Sequence, residues 1–163
     1  MNKKVDLVLI QPPSPLLENS KLPYWKRVYF DLRSVNLYPP LGLSCLAEFL
    51  KNVAPSFKTA ILDGEILGLE EIKNRLTILR PSCVGISPTF LTYELTLELC
   101  RFSKNLGAKT ILGGHYATGA GREILLNRAR ILKTIALMPY ANRMARNVWS
   151  ILYAEGLLKK STI

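Results

Sequence analysis

Four short, nearly continuous apolar runs alternate with stretches whose apolar residues recur every three or four positions, and few architectures accept that alternation. Residues 5–10, with Val5, Leu7, Val8, Leu9 and Ile10, form the first run, closed by Gln11-Pro12-Pro13. Such a run lacks the in-out alternation of a strand with one wet face, so it reads as a strand buried on both faces of a parallel sheet. Residues 57–62, 83–86 and 108–112 read as the second, third and fourth strands, the last halted by Gly113-Gly114. Between them, Pro39-Pro40 opens a helix with Leu43, Leu46, Ala47 and Leu50 on one stripe, and Pro55 closes it. Residues 69–79 and 91–106 supply two more helices, the second stopped by Gly107.

Past residue 121 the pattern loosens. Residues 122–127 are expected to form a short helix, 131–137 a fifth strand, and 140–153 an amphipathic helix with Met144, Val148, Ile151 and Leu152 on one face. Strands alternating with helices of this length need right-handed crossovers, which predicts an α/β fold: a doubly wound, parallel five-stranded sheet of Rossmann-like, flavodoxin-like order. No internal repeat interrupts it, and 163 residues suit a single domain. Residues 14–38 break the rhythm. Their Pro15, Pro23, Tyr24, Trp25, Tyr29 and Phe30 follow no period, as in long loops that lie over a binding site.

The net charge of +10 raises nucleic acid as a partner until its distribution is considered. From Gly121 onward eight Lys or Arg face two Glu, so most of the excess lies in the tail, where a solvated helix face is the ordinary explanation. Nucleic acid is therefore not the expected partner. Cys45, Cys83 and Cys100 are widely spaced, odd in number and set among apolar residues, the usage of buried, reduced thiols in a reducing compartment. Residues 1–10 hold two lysines ahead of an apolar run that is too short for a signal-peptide core or a membrane span. A cytoplasmic protein without a membrane span is expected.

In doubly wound sheets ligands bind beyond the carboxyl ends of the strands, where strand order reverses. That rule selects Gln11, Pro12 and Pro13 after the first strand and residues 63–68 after the second. It also selects Ser87, Pro88 and Thr89 after the third, and Gly113, Gly114, His115 and Tyr116 after the fourth. Five ordered segments run through these positions: Val8-Leu9-Ile10-Gln11-Pro12-Pro13, Tyr38-Pro39-Pro40-Leu41-Gly42-Leu43 with Leu46-Ala47, Leu62-Asp63, Val84-Gly85-Ile86-Ser87, and Ile111-Leu112-Gly113-Gly114-His115. As a set they resemble the cobalamin-binding domain that precedes the catalytic barrel in cobalamin-dependent radical S-adenosylmethionine enzymes, over roughly residues 5–126. The resemblance implies that residues 1–130 form a cobalamin-binding α/β unit; residues 131–163, a basic strand and helix atypical of that family, are expected to complete the same domain.

The wider cobalamin-binding fold carries Asp-x-His-x-x-Gly, then Ser-x-Leu or Ser-x-Thr, then Gly-Gly. This chain matches with Asp63, Gly68, Ser87, Thr89, Gly113 and Gly114, but Glu65 stands where the motif's histidine would ligate cobalt. A carboxylate is a harder ligand than imidazole, so no residue is assigned to the metal. The resemblance assigns cofactor contact to Gln11, Pro12, Pro13, Asp63, Glu65, Gly68, Ser87, Thr89, Gly113, Gly114 and His115, with Ser87, Gly113 and Gly114 beside the nucleotide tail. Each motif alone has a plainer structural explanation as a turn, and Phe90, Tyr93 and Tyr116 one as core aromatics.

No Cys-x-x-x-Cys-x-x-Cys is present to hold an iron-sulphur cluster, and no catalytic residue is assigned. The implied role is a carrier or fragment of a cobalamin-dependent radical enzyme, partnered by a radical barrel protein in trans. The alternative, motivated by Glu65 and the missing barrel, is a flavodoxin-like nucleotide-binding or regulatory module that has lost cobalamin.

Overall fold

The computed structural model describes residues 5–14 and 39–120, together with the backbone of 135–137. The first strand, β1 (Leu7–Gln11), is followed by α1 (Leu41–Val53), β2 (Thr59–Asp63), α2 (Gly64–Leu79), β3 (Cys83–Ile86), α3 (Tyr93–Asn105) and β4 (Lys109–Leu112). A helical stretch over 114–120, here α4, and a three-residue strand β5 (Ile135–Leu137) follow.

Every strand pair is parallel, and the order is β2-β1-β3-β4-β5. The part of the sheet that carries the core is four-stranded. Of the expected fifth strand over 131–137, residues 135–137 are described and pair with β4 through Thr110↔Ile135, Ile111↔Ala136 and Leu112↔Leu137. The expected helices over 122–127 and 140–153, the loop from residue 15 to 38 and the basic tail lie outside the described residues.

Side chains of β1 alternate between two cores, which explains why its sequence shows no polar phase. Leu7 and Leu9 point to one face, where Leu43, Leu46 and Leu50 of α1 cover them with Phe57, Cys83 and Ile111. Val8 and Ile10 point to the other, against Leu69, Ile72 and Leu76 of α2 and Leu97 and Cys100 of α3. Helices on both faces make the sheet doubly wound. Phe57 belongs to this core although it precedes β2, so the strand starts two residues later than its apolar run.

Local signals set the helix ends. Asp63 is the N-cap of α2, its Oδ1 accepting from the Glu65 N–H at 3.0 Å. Gly68, at φ +70°, breaks the helix and separates a single turn from the longer run that begins at Leu69. In α3, the Thr92 side chain accepts from the Thr89 N–H at 2.9 Å, while the Thr92 N–H donates to Thr89 Oγ1 at 3.3 Å. This reciprocal pair moves the helix start from the expected residue 91 to Tyr93 and fixes the turn before it.

Cys83 and Cys100 are buried as expected, and burial pushes the Cys100 thiol up to about 12. Cys45 is exposed, contrary to expectation: it lies on α1 away from the stripe of Leu43, Leu46 and Leu50. Among the described residues no helix is long and apolar enough to cross a membrane.

Two glycines respond oppositely to a methyl group. A Cβ on Gly64 would stand 2.3 Å from the Pro13 nitrogen and 2.5 Å from the Gln11 carbonyl oxygen, both backbone. A Cβ on Gly42 meets nothing within 4 Å. Gly64→Ala is expected to cost ~3 kcal/mol or more, and Gly42→Ala to add ~0.4–1 kcal/mol by restricting the unfolded chain; urea denaturation of the two variants measures both signs.

Candidate functional site

The strand order reverses at β1: the chain moves from β1 outward to β2, then crosses back to β3 on the other side. Loops after β1 and β3 therefore part at the carboxyl edge and leave a crevice between them. The backbone ladder continues a step past the strands there, since the Ser87 N–H donates to the Ile10 carbonyl and the Gly113 N–H to the Ile86 carbonyl, each at 3.0 Å. These bonds hold Ser87 and Gly113 at fixed height above the sheet.

The crevice is a cavity of about 670 Å³, within the roughly 300–1,000 Å³ usual for small-molecule sites. Gln11 from β1, residues 87–90 from the β3–α3 turn, and His115, Tyr116, Gly119 and Ala120 from α4 line it. Four of the residues selected from the sequence, Gln11, Ser87, Thr89 and His115, meet here from three separate segments of the chain. The lining is mixed. An amide, two hydroxyls and an imidazole stand beside the rings of Phe90 and Tyr116, an arrangement suited to a flat ring bearing polar substituents.

The remaining selected residues lie elsewhere. Pro12 and Pro13 are buried, and Pro13 packs against Gly64 so closely that the loops after β1 and β2 touch through backbone. Asp63 is spent on its helix cap, and Gly68 on the break in α2. Glu65 accepts a hydrogen bond from the Ser14 backbone N–H. Burial raises its carboxyl above the usual value, that hydrogen bond opposes the rise, and the neighbouring Asp63 charge adds to it. Pro12, Pro13, Asp63, Glu65 and Gly68 thus gather on the β2 side of β1, outside the cavity lining.

Gly113 and Gly114 also stand outside the lining. Gly114 has φ +84°, and a Cβ there would come within 2.7 Å of Ser87 Oγ. Its missing side chain makes room for the Ser87 hydroxyl, so the need for glycine is met inside the protein. Thr89 reaches the cavity with its hydroxyl engaged, 3.1 Å from that of Thr92.

No protein-family model, curated protein or solved structure matches the chain.

Phe90, Tyr116, Gly119 and Ala120 line the cavity although none was assigned cofactor contact from the sequence, Tyr116 being picked out only by its place after β4. The first two were legible as aromatics near strand ends. Gly119 and Ala120 carry no signal beyond their small size, and only the helix that follows Gly114 brings them to the cavity. Among the described residues no group of three or more His, Cys, Asp or Glu side chains is placed to hold a metal ion.

Glu65 yields a pH prediction. Its raised pKa means that folding favours the protonated acid, so its contribution is most favourable below 4.5 and is lost as pH rises through the higher folded value. Glu65→Gln retains an oxygen for the Ser14 N–H without this titration. The variant should gain stability relative to the wild type between pH 4 and pH 7, read from paired urea midpoints.

Gly114→Ala combines left-handed strain with the contact to Ser87, and should destabilise by ~1–3 kcal/mol. In a Ser87→Gly background the steric part disappears and the strain remains, so the cost should fall without vanishing. A double-mutant cycle by chemical denaturation measures the difference.

Proposed function

We propose that this chain is a cobalamin-binding domain that carries the cofactor for a radical S-adenosylmethionine barrel supplied in trans, as carrier or as part of a longer enzyme. The observation that supports it best is the meeting of Gln11, Ser87, Thr89 and His115 around one cavity at the β1/β3 reversal. Gln11, Ser87 and His115 come from three of the five segments that resemble the cobalamin-binding family, far apart in sequence, and Thr89 follows two residues after Ser87.

The cavity suits the nucleotide tail rather than the whole cofactor, because the corrin is too broad to enter a space of this volume. In this reading Ser87 and the α4 residues His115, Tyr116, Gly119 and Ala120 would hold the tail. Ser87 and Gln11 offer hydrogen bonds to the tail, and His115 stands at the rim. Gly114 acts one step removed, by leaving room for the Ser87 hydroxyl. When bound, cobalamin would supply a cobalt centre able to carry a methyl group. The protein's part would be to hold and orient the tail through Gln11 and Ser87.

Glu65 is not given the role of lower ligand. Its bond to Ser14 ties it to the β1 loop, and among the described residues no group of three or more His, Cys, Asp or Glu side chains is placed to hold a metal.

A flavin or nucleotide is the second reading, favoured by the strand order itself, since flavodoxin-like sheets hold FMN at the same reversal. Titration with hydroxocobalamin and methylcobalamin, followed by visible spectroscopy, separates the two. A bound-state spectrum is expected, together with its loss in Gly119→Leu, where the new side chain fills the cavity without clashing and Ile78→Ala on the far edge serves as control. Absence of any spectral change with either corrinoid, alongside uptake of FMN, would replace the first reading by the second.

A further inference from the structure

The cavity wall contains an aromatic side chain that the fold holds in place but does not bury. Phe90 is 77% exposed, yet it lines the cavity and sits on a turn locked at both ends. Ser87, at the turn's start, is bonded to β1, and Thr89 and Thr92 bond to each other across Phe90 and Leu91. Thr96 Oγ1 then donates to the Thr92 carbonyl at 2.9 Å, anchoring the turn to the buried part of α3. From the other side Tyr116 braces the ring, with centroids 6.4 Å apart and planes at 63°, and Tyr93 backs Tyr116 at 5.6 Å.

A single exposed phenylalanine is ordinary on a protein surface. One fixed by a reciprocal hydrogen-bonded turn, braced by a second ring and facing a cavity is preorganised, and preorganisation lowers the ordering cost of binding. Ring-on-ring contact beyond simple burial favours a planar, electron-poor partner on the open face.

We propose that Phe90 is the stacking face of this site, on which a planar heteroaromatic ring of the ligand is held, with Tyr116 and Tyr93 as its brace. Resting on the cobalamin reading, the inference makes Phe90 the residue that selects for the base of the nucleotide tail. A benzimidazole or purine covers the ring face, whereas a tail with a small or absent base leaves it wet.

Isothermal titration calorimetry on the full chain tests this with cobalamin, cobinamide (a corrin without the nucleotide tail), dimethylbenzimidazole ribotide, AMP, FMN and ribose 5-phosphate. The expected result is tighter binding of cobalamin than of cobinamide, and a loss of about 10-fold for base-bearing ligands in Phe90→Ala. Phe90→Trp should recover that loss, and cobinamide and ribose 5-phosphate should be indifferent to both changes. Because Phe90 is exposed, an unchanged urea midpoint verifies the fold of each variant. If cobalamin and cobinamide bind alike and Phe90→Ala alters neither, the stacking role is overturned while the corrinoid reading stands. If no corrinoid binds but FMN or AMP does, with the same dependence on Phe90, the stacking role stands and the corrinoid reading falls. Binding of no ring-bearing ligand to the wild type overturns both.

Discussion

Everything in this molecule hangs from β1, which is packed on both faces and hydrogen-bonded on both edges. Its residues Leu7, Val8, Leu9 and Ile10 are at most 3% exposed. A strand so placed has no wet side, so its sequence must be apolar throughout and its polar residues are driven to its end. Gln11 is where that burial stops. It pairs in register with Asp63, and just beyond it the loop after β1 meets the loop after β2 through Pro13 and Gly64. The position of the cavity is thus a by-product of topology: the chain leaves β1 for one neighbour and returns to the other, and the opening between cannot close by backbone pairing.

The two sides of β1 have different characters. On the β2 side, Gly64, Pro13, Glu65 and Ser14 bring two loops together through backbone contact and a partly buried carboxylate bond. On the β3 side, the Ser87 turn and α4 stand apart and enclose space. A single ligand edge inferred from sequence therefore becomes a structural half and an open half. Proximity to the carboxyl edge is shared by both, but only the second has room for a ligand.

Most of the fold was legible in the sequence because its signals are local. Continuous apolar runs marked β1, β3 and β4, and the stripe of Leu43, Leu46 and Leu50 marked α1. Strand and helix ends were less so, because tertiary contacts decide them: Phe57 packs as core ahead of its strand, and the Thr89–Thr92 pair holds residues 91 and 92 out of α3. Cys45 misled because apolar neighbours in sequence are not neighbours in space on a helix. Of the site, Gln11, Ser87, Thr89 and His115 could be found, since the strand-end rule points straight at them. Gly113 and Gly114 could be found but not interpreted. A glycine that clears space for a ligand and one that clears space for a neighbouring hydroxyl look the same in one dimension.

The contact between Gly64 and Pro13 bears on how such a chain can diverge. The strict requirement falls on the backbone at position 64, where even a methyl group has no room, while the side chain at 65 extends from an ordinary helical turn. A change at 65 gives up only the bond to Ser14, whereas any side chain at 64 would force Pro13 away from the strand end, so two neighbouring positions of one turn differ sharply in the substitutions they tolerate.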